Sequence, residues 1–156
     1  MMEEHDIDMR HHADEAAQMD RQHILMVNRT PALLDLVRVV LDGEHYNVTT
    51  TNAVPLTFAL IDAARPALII IDLMVAETSG WNLLVRLHTE ATTAAIPIII
   101  TATDIRLLDR ARRYPELFGA RSYLTVPFTV EALLRQVRAL IGTSEPAAGH
   151  ISTTDL

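Results

Sequence analysis

The sequence predicts an α/β fold: a doubly wound, five-stranded parallel sheet with helices on both faces. Three observations lead there. Between residues 22 and 142, short apolar runs of strand length alternate five times with helix-spaced apolar patterns. Several strand runs are apolar throughout, which implies that both faces of the sheet are covered. The helical segments are punctuated by Thr, Pro and Gly at positions suited to caps and stops.

The elements follow in order. His23 to Val27 is an apolar run of strand length. Thr30 and Pro31 read as an N-cap followed by proline at the first helical position, and Leu33, Leu34, Val37, Val40 and Leu41 continue at helical spacing until Gly43. Tyr46 to Thr50 is a β-branched second strand. Pro55 opens a second helix that runs through Ala64, and Ala67 to Asp72 is a buried third strand ending in a carboxylate. A third helix spans about Gly80 to Ala91, and a fourth strand Pro97 to Thr101. A fourth helix starts near Ile105 and stops at Pro115. Arg121 to Thr125 is the fifth strand, and Thr129 caps a fifth helix carrying Leu133, Leu134, Val137, Leu140 and Ile141 before Gly142.

Residues 1–21 read as a polar acidic tail with a short helix around Ala13 to Met19, residues 22–142 as the domain, and residues 143–156 as a second tail. The net charge of -7 resides in these tails. Residues 1–21 carry seven acids against Arg10 and Arg21, whereas eleven acids and eleven arginines balance between residues 22 and 142. A neutral body with acidic tails offers no basic footprint for nucleic acid. No apolar run reaches the roughly 18 residues of a membrane helix, and Met1 to Met9 are too polar for a secretory signal. There is no cysteine, so the expected compartment is the cytoplasm. All 13 basic residues are arginine.

In parallel sheets of this kind ligands sit beyond the carboxyl ends of the strands. Those ends bring forward Asn28, Arg29, Asp72, Thr101 to Asp104, and Val126. At these positions the chain resembles the response-regulator receiver (CheY-like) domain family, over residues 22 to 142. The carriers are Ile24-Leu25-Met26-Val27 with Pro31, Leu68 to Met74 with Gly80, Ile96 to Ala102, and Gly119 to Phe128. Their order and spacing together make the match specific. The resemblance implies a flavodoxin-like strand order, 2-1-3-4-5, and a role in two-component (phosphorelay) signalling with a histidine kinase or another signalling protein as partner. It also implies a face formed by helix 4, strand 5 and helix 5 for partners or a homodimer.

The resemblance makes Asp72 the phosphoacceptor candidate. Phosphoryl transfer to a carboxylate needs a metal to offset charge and a cation for the phosphate formed. The family supplies two acids at the end of the first strand, where this chain has Asn28 and Arg29. It supplies a lysine before the proline after the fifth strand, where this chain has Val126, and there is no lysine anywhere to replace it. The usual proline after the phosphoacceptor is Ala76. No cofactor is therefore expected: Mg²⁺ has only Asp72 and Asn28 as weak candidate ligands, and such ions prefer more anionic oxygen sites. The expectation is a single-domain pseudo-receiver, not an enzyme, with a conventional receiver phosphorylated on Asp72 as the alternative. The resemblance further implies a cis Val126–Pro127 bond.

Several positions carry two readings. An ungapped count from Pro97 puts Ala102 at the family's fourth-strand hydroxyl position, whereas matching the Thr-Ala pair puts Thr101 there. Arg29 either points to solvent or forms a bidentate ion pair with Asp72 in place of the metal. Tyr123 matches the family's switch aromatic, or is a half-buried strand tyrosine. Arg106, Arg110, Arg112, Arg113 and Arg121 form a solvated face or meet an acidic partner. Trp81 and Phe58 read as packing residues. The seven histidines, including adjacent His11 and His12, lack the spacing of a metal site.

Enzymes on the same topology fit less well. A dehalogenase-type phosphatase wants a second aspartate two residues after the nucleophile, where Met74 stands. A nucleotide-binding fold wants a glycine-rich turn after the first strand, where Asn28-Arg29-Thr30-Pro31 stands. A small α/β hydrolase using Asp72 is the remote alternative. Nothing after residue 142 suits a helix-turn-helix, so any output is expected to act through another protein.

Overall fold

The computed structural model describes residues 21–53, 57–74, 79–118 and 122–143. The tail helix around Ala13 to Met19, the helix start at Pro55, Ala76, the residues Gly119 to Arg121 and the tail from residue 144 lie outside them.

Five strands form one sheet: β1 His23–Val27, β2 Asn47–Thr51, β3 Leu68–Asp72, β4 Ile98–Ala102 and β5 Ser122–Thr125. All neighbouring pairs are parallel, in the order β2-β1-β3-β4-β5. The helices are α1 Pro31–Gly43, α2 Thr57–Ala64, α3 Ser79–Thr89, α4 Ile105–Arg113 and α5 Val130–Ile141, with a one-turn helix at Pro115–Phe118.

The pleat assigns the strand side chains to two cores. Leu25, Val27, Ile69, Ile71, Ile98 and Ile100 pack with Ile61 of α2, Leu84 and Leu87 of α3, and Leu108 of α4. Ile24, Met26, Leu68, Ile70, Ile99 and Leu124 pack on the other face with Leu34, Val37 and Leu41 of α1 and with Leu133 and Val137 of α5. Burying each such aliphatic side chain contributes about 1.5–3 kcal/mol. Both faces of β3 are thus dry, which accounts for its unbroken Leu-Ile-Ile-Ile run. Trp81 and Phe58 pack partly buried against the first core.

Local details depart from the sequence-based expectations. Thr30 occupies the N-cap of α1 but its side chain makes no cap hydrogen bond. The Thr30 amide itself is held by Asn28, whose Oδ1 accepts it at 2.8 Å just ahead of the helix. Gly43 remains within α1, and the left-handed turn residue is His45 (φ 66). That turn is closed by Tyr46 N–H to the Leu41 carbonyl at 3.0 Å, so strand pairing in β2 begins at Asn47, one residue later than the β-branched pattern suggests. Pro115 does not simply end a helix: it opens the one-turn helix, where its missing N–H costs nothing. Arg21, placed in the tail by composition, belongs with the domain through its pairing with Asp42 at 3.6 Å. Thr129 caps α5 as expected, its hydroxyl oxygen accepting the Ala132 amide, and Gly142 ends it at φ 75.

Candidate functional site

Parallel pairing brings the carboxyl ends of β1, β3, β4 and β5 to one rim. Asp72 sits beside Thr101 in register, and Ala102 beside Thr125. Backbone bonds extend this order past the strands: Leu73 N–H donates to the Thr101 carbonyl at 3.0 Å, and Val126 N–H to the Ala102 carbonyl at 2.8 Å. The Val126–Pro127 peptide is cis.

Side-chain alternation then selects the site. Met26, Ile70, Ile99 and Leu124 face α1 and α5. Two residues further along each strand stand Asn28, Asp72, Thr101 and Val126, which therefore share that face. Thr101, rather than Ala102, meets Asp72, because Ala102 has the opposite parity and packs into the core under α2, α3 and α4. Tyr123 has that parity too and packs against the same core.

Asp72 is 9% exposed. Its Oδ1 accepts the Met74 amide at 2.8 Å, and its Oδ2 accepts the Thr101 hydroxyl at 3.0 Å and Nδ2 of Asn28 at 3.4 Å. All three donors are neutral. Burial raises the pKa of Asp72 above the ordinary carboxylate value, while the Met74 and Thr101 hydrogen bonds and the charge of Arg29 pull it back.

The ion pair between Arg29 and Asp72 is not formed. Arg29 is exposed, and its Nη1 donates to the Met74 carbonyl at 3.2 Å across the rim. The physical reason lies in the pleat: Arg29 follows Asn28 with opposite parity, just past the strand end, so its guanidinium reaches the β3–α3 loop from outside. Asp72 finds its compensation in neutral donors instead.

Asn28, 3% exposed, is oriented by the same local geometry. Its oxygen is engaged by the Thr30 amide, so its NH₂ group faces Asp72. A pocket opens above these groups, lined by Asn28, Arg29, Thr30, Pro31, Leu33, Asp72, Met74, Thr103 and Val126. Sequence reasoning missed the Met74 amide, which makes the shortest contact to Asp72. A signal for it existed. Asn and Asp at strand ends hydrogen-bond the backbone two residues on, and Asn28 to Thr30, Asp72 to Met74 and Asp104 to Arg106 all do so here.

Away from the pocket, the arginines of α4 have separate partners. Arg106 pairs with Asp104 at 3.0 Å, Arg110 lies over the Trp81 ring at 5.4 Å, and Arg112 lies over the Tyr123 ring at 4.8 Å while reaching Asp109 at 3.4 Å. Arg113 is exposed, and Arg121 lies outside the described residues. Burial raises the Tyr123 pKa, and Arg112 opposes that shift. Among the described residues no group of three His, Cys, Asp or Glu side chains gathers as for a metal ion. Nor is any helix there long and apolar enough to cross a membrane.

A doubly wound 2-1-3-4-5 sheet with a strand-end aspartate beside a strand-end threonine defines a receiver-type signalling module. The chain belongs to the response regulator receiver domain family, whose pattern it matches over residues 24–138. It is thereby a receiver domain of two-component signalling. It is 34% identical over 118 residues to the DNA-binding dual master transcriptional regulator RpaA of Synechocystis sp., covering 76% of this chain and 48% of that protein. It is 27% identical over 118 residues to protein PilH of Pseudomonas aeruginosa, covering 76% of this chain and 96% of that protein. The chain spans about half the length of several curated relatives it matches. In fold it is similar to the Vibrio cholerae chemotaxis protein CheY4, with a TM-score of 0.70 at 21% identity, over 77% of this chain and 98% of that one. It is likewise similar to the receiver domain of the Pseudomonas aeruginosa sensor histidine kinase PA1611, which was crystallised with magnesium in its active-site cleft. That TM-score is 0.67 at 22% identity, over 79% of this chain and 99% of that one.

Proposed function

We propose that this chain is a pseudo-receiver: a cytoplasmic signalling module that works by protein–protein contact and binds rather than catalyses. Its partner is a histidine kinase or another signalling protein, and the face of α4, β5 and α5 serves that partner or a second copy. The observation that carries the reading is the end of β1. The oxygen of Asn28 is engaged by the Thr30 amide and its NH₂ group faces Asp72, while Arg29 adds a positive charge at the rim. Asp72 is left as the sole carboxylate among the described residues lining the pocket. This donor set does not fit Mg²⁺, which seeks several oxygen ligands in octahedral array. Val126 supplies no cation for a phosphoryl group.

A conventional receiver phosphorylated on Asp72 is the second reading, favoured by one observation. The Thr101 hydroxyl stands 3.0 Å from Oδ2, where it would meet a phosphoryl oxygen. Incubation with acetyl phosphate and Mg²⁺, followed by intact mass, separates the two. The pseudo-receiver keeps its mass; a gain of one phosphoryl group that vanishes in Asp72→Asn establishes the conventional receiver.

A further inference from the structure

The pocket above Asp72 has an acidic floor and a partly apolar wall, and the one cation among its described lining residues is Arg29 at the rim. Its volume is about 460 Å³, and Pro31, Leu33 and Val126 stand on its walls. The Asp72 carboxylate is 9% exposed and held only by neutral donors. A carboxylate has about four acceptor sites, and three are filled by Met74, Thr101 and Asn28. One acceptor site is therefore left on a desolvated anion. The nearest cation, Arg29, is exposed and spent on the Met74 carbonyl.

We propose that this pocket is a receptor for a primary alkylammonium group, supplied by a lysine side chain of a partner protein. The proposal rests on the reading of the site as inactive in phosphoryl transfer, since a bound phosphoryl group would fill the same space. Three features select the chemistry. A buried carboxylate gains most from a cation that is desolvated with it and hydrogen-bonded to it. A lysine stem buries its methylenes along apolar surface while its charge reaches a polar group, and Pro31, Leu33 and Val126 provide that surface. A guanidinium fork wants two acceptor oxygens side by side, whereas the Asp72 oxygens already hold three donors, so a point charge fits where a fork does not. None of the 156 residues here is a lysine, so none of them can fill the site with an ammonium. Arg29 weakens the site by repulsion across the rim, and burial of Asp72, the larger influence on that carboxylate, keeps it in need of a partner.

The test is a titration of the isotopically labelled protein at pH 8, followed through its backbone amide resonances. The probes are acetyl-Gly-Lys-Gly-amide, the same peptide with an acetylated lysine side chain, and n-butylammonium chloride. The lysine peptide should give saturable shifts centred on Asn28, Met74, Thr101 and Val126, and the acetyl-lysine peptide none. Asp72→Asn should lose at least tenfold in affinity, Arg29→Ala should gain severalfold, and Val126→Lys should abolish binding by filling the pocket from within. A dispersed amide spectrum for each variant verifies its fold. Linear shifts, equal shifts from both peptides, or full binding by Asp72→Asn would overturn the proposal. Tighter binding of n-butylammonium than of the lysine peptide would overturn the assignment to a protein lysine in favour of a free amine. The two readings fail separately. Phosphoryl gain from acetyl phosphate with amine binding intact sinks only the inactive reading, and unchanged mass without amine binding sinks only this proposal.

Discussion

Thr101 donates its hydroxyl to Oδ2 of Asp72 across 3.0 Å, between neighbouring parallel strands in direct register. Thr101 is fully buried, so its hydroxyl cannot turn to water when Asp72 is lost.

Thr101→Val keeps the shape of the side chain and removes the donor. It should destabilise the protein by about 1–3 kcal/mol, the cost of leaving a buried acceptor less satisfied. In an Asp72→Leu background, where no acceptor remains, the same substitution should cost much less. Urea denaturation of the four proteins closes the cycle and reads the coupling directly.

The pH dependence of stability should change in a defined sense when Asp72 becomes Asn. Burial raises the folded-state pKa of Asp72 above its ordinary value of 3.8. Between the two values the folded protein holds more protons than the unfolded chain, so stability contributed by this group falls as pH rises through that window and is flat above it. Asp72→Asn removes this loss. The variant should gain stability over wild type as pH rises from below 3.8 to neutrality, a difference read from paired denaturation curves. A gain of the opposite slope would mean that the donors outweigh desolvation.

Capping should separate two threonines that look alike in sequence. Thr129→Ala removes the acceptor for the Ala132 amide and should cost about 0.5–2 kcal/mol, whereas Thr30→Ala removes no cap bond and should cost only a few tenths. Asn28→Ala removes the buried acceptor of the Thr30 amide and the donor to Asp72, and should cost more than Thr30→Ala. Thermal melts of the three variants decide the ranking.

The Arg112 guanidinium over the Tyr123 ring should be worth about 0.5–1 kcal/mol. Arg112→Ala removes the positive charge that lowers the Tyr123 pKa against burial. Ultraviolet titration of the phenolate should therefore place Tyr123 higher in Arg112→Ala than in wild type. A Tyr123→Phe control identifies its contribution beside Tyr46 and Tyr114.

The residues themselves announce the architecture, because short strands, the central ones apolar throughout, alternate with helices, and a parallel sheet with two covered faces is the arrangement that buries those central strands. The position of Asp72 at the end of Leu-Ile-Ile-Ile, and the loss of any lysine, are likewise visible in one dimension. Pairing register, side-chain parity and loop geometry were not. The choice between Thr101 and Ala102 depends on which face of β4 each occupies once Ile99 and Ile100 commit to opposite cores. The fate of Arg29 depends on its parity past the end of β1 and on a carbonyl at Met74, 45 positions away, that no local pattern reveals. That the Asn28 oxygen accepts the Thr30 amide, which turns its NH₂ group toward Asp72, is likewise decided only by the fold. Hydrophobic periodicity encodes which residues leave water, and that determines the fold. Which donor meets a buried carboxylate is settled at hydrogen-bond range between segments distant in sequence, and only the folded chain makes that choice.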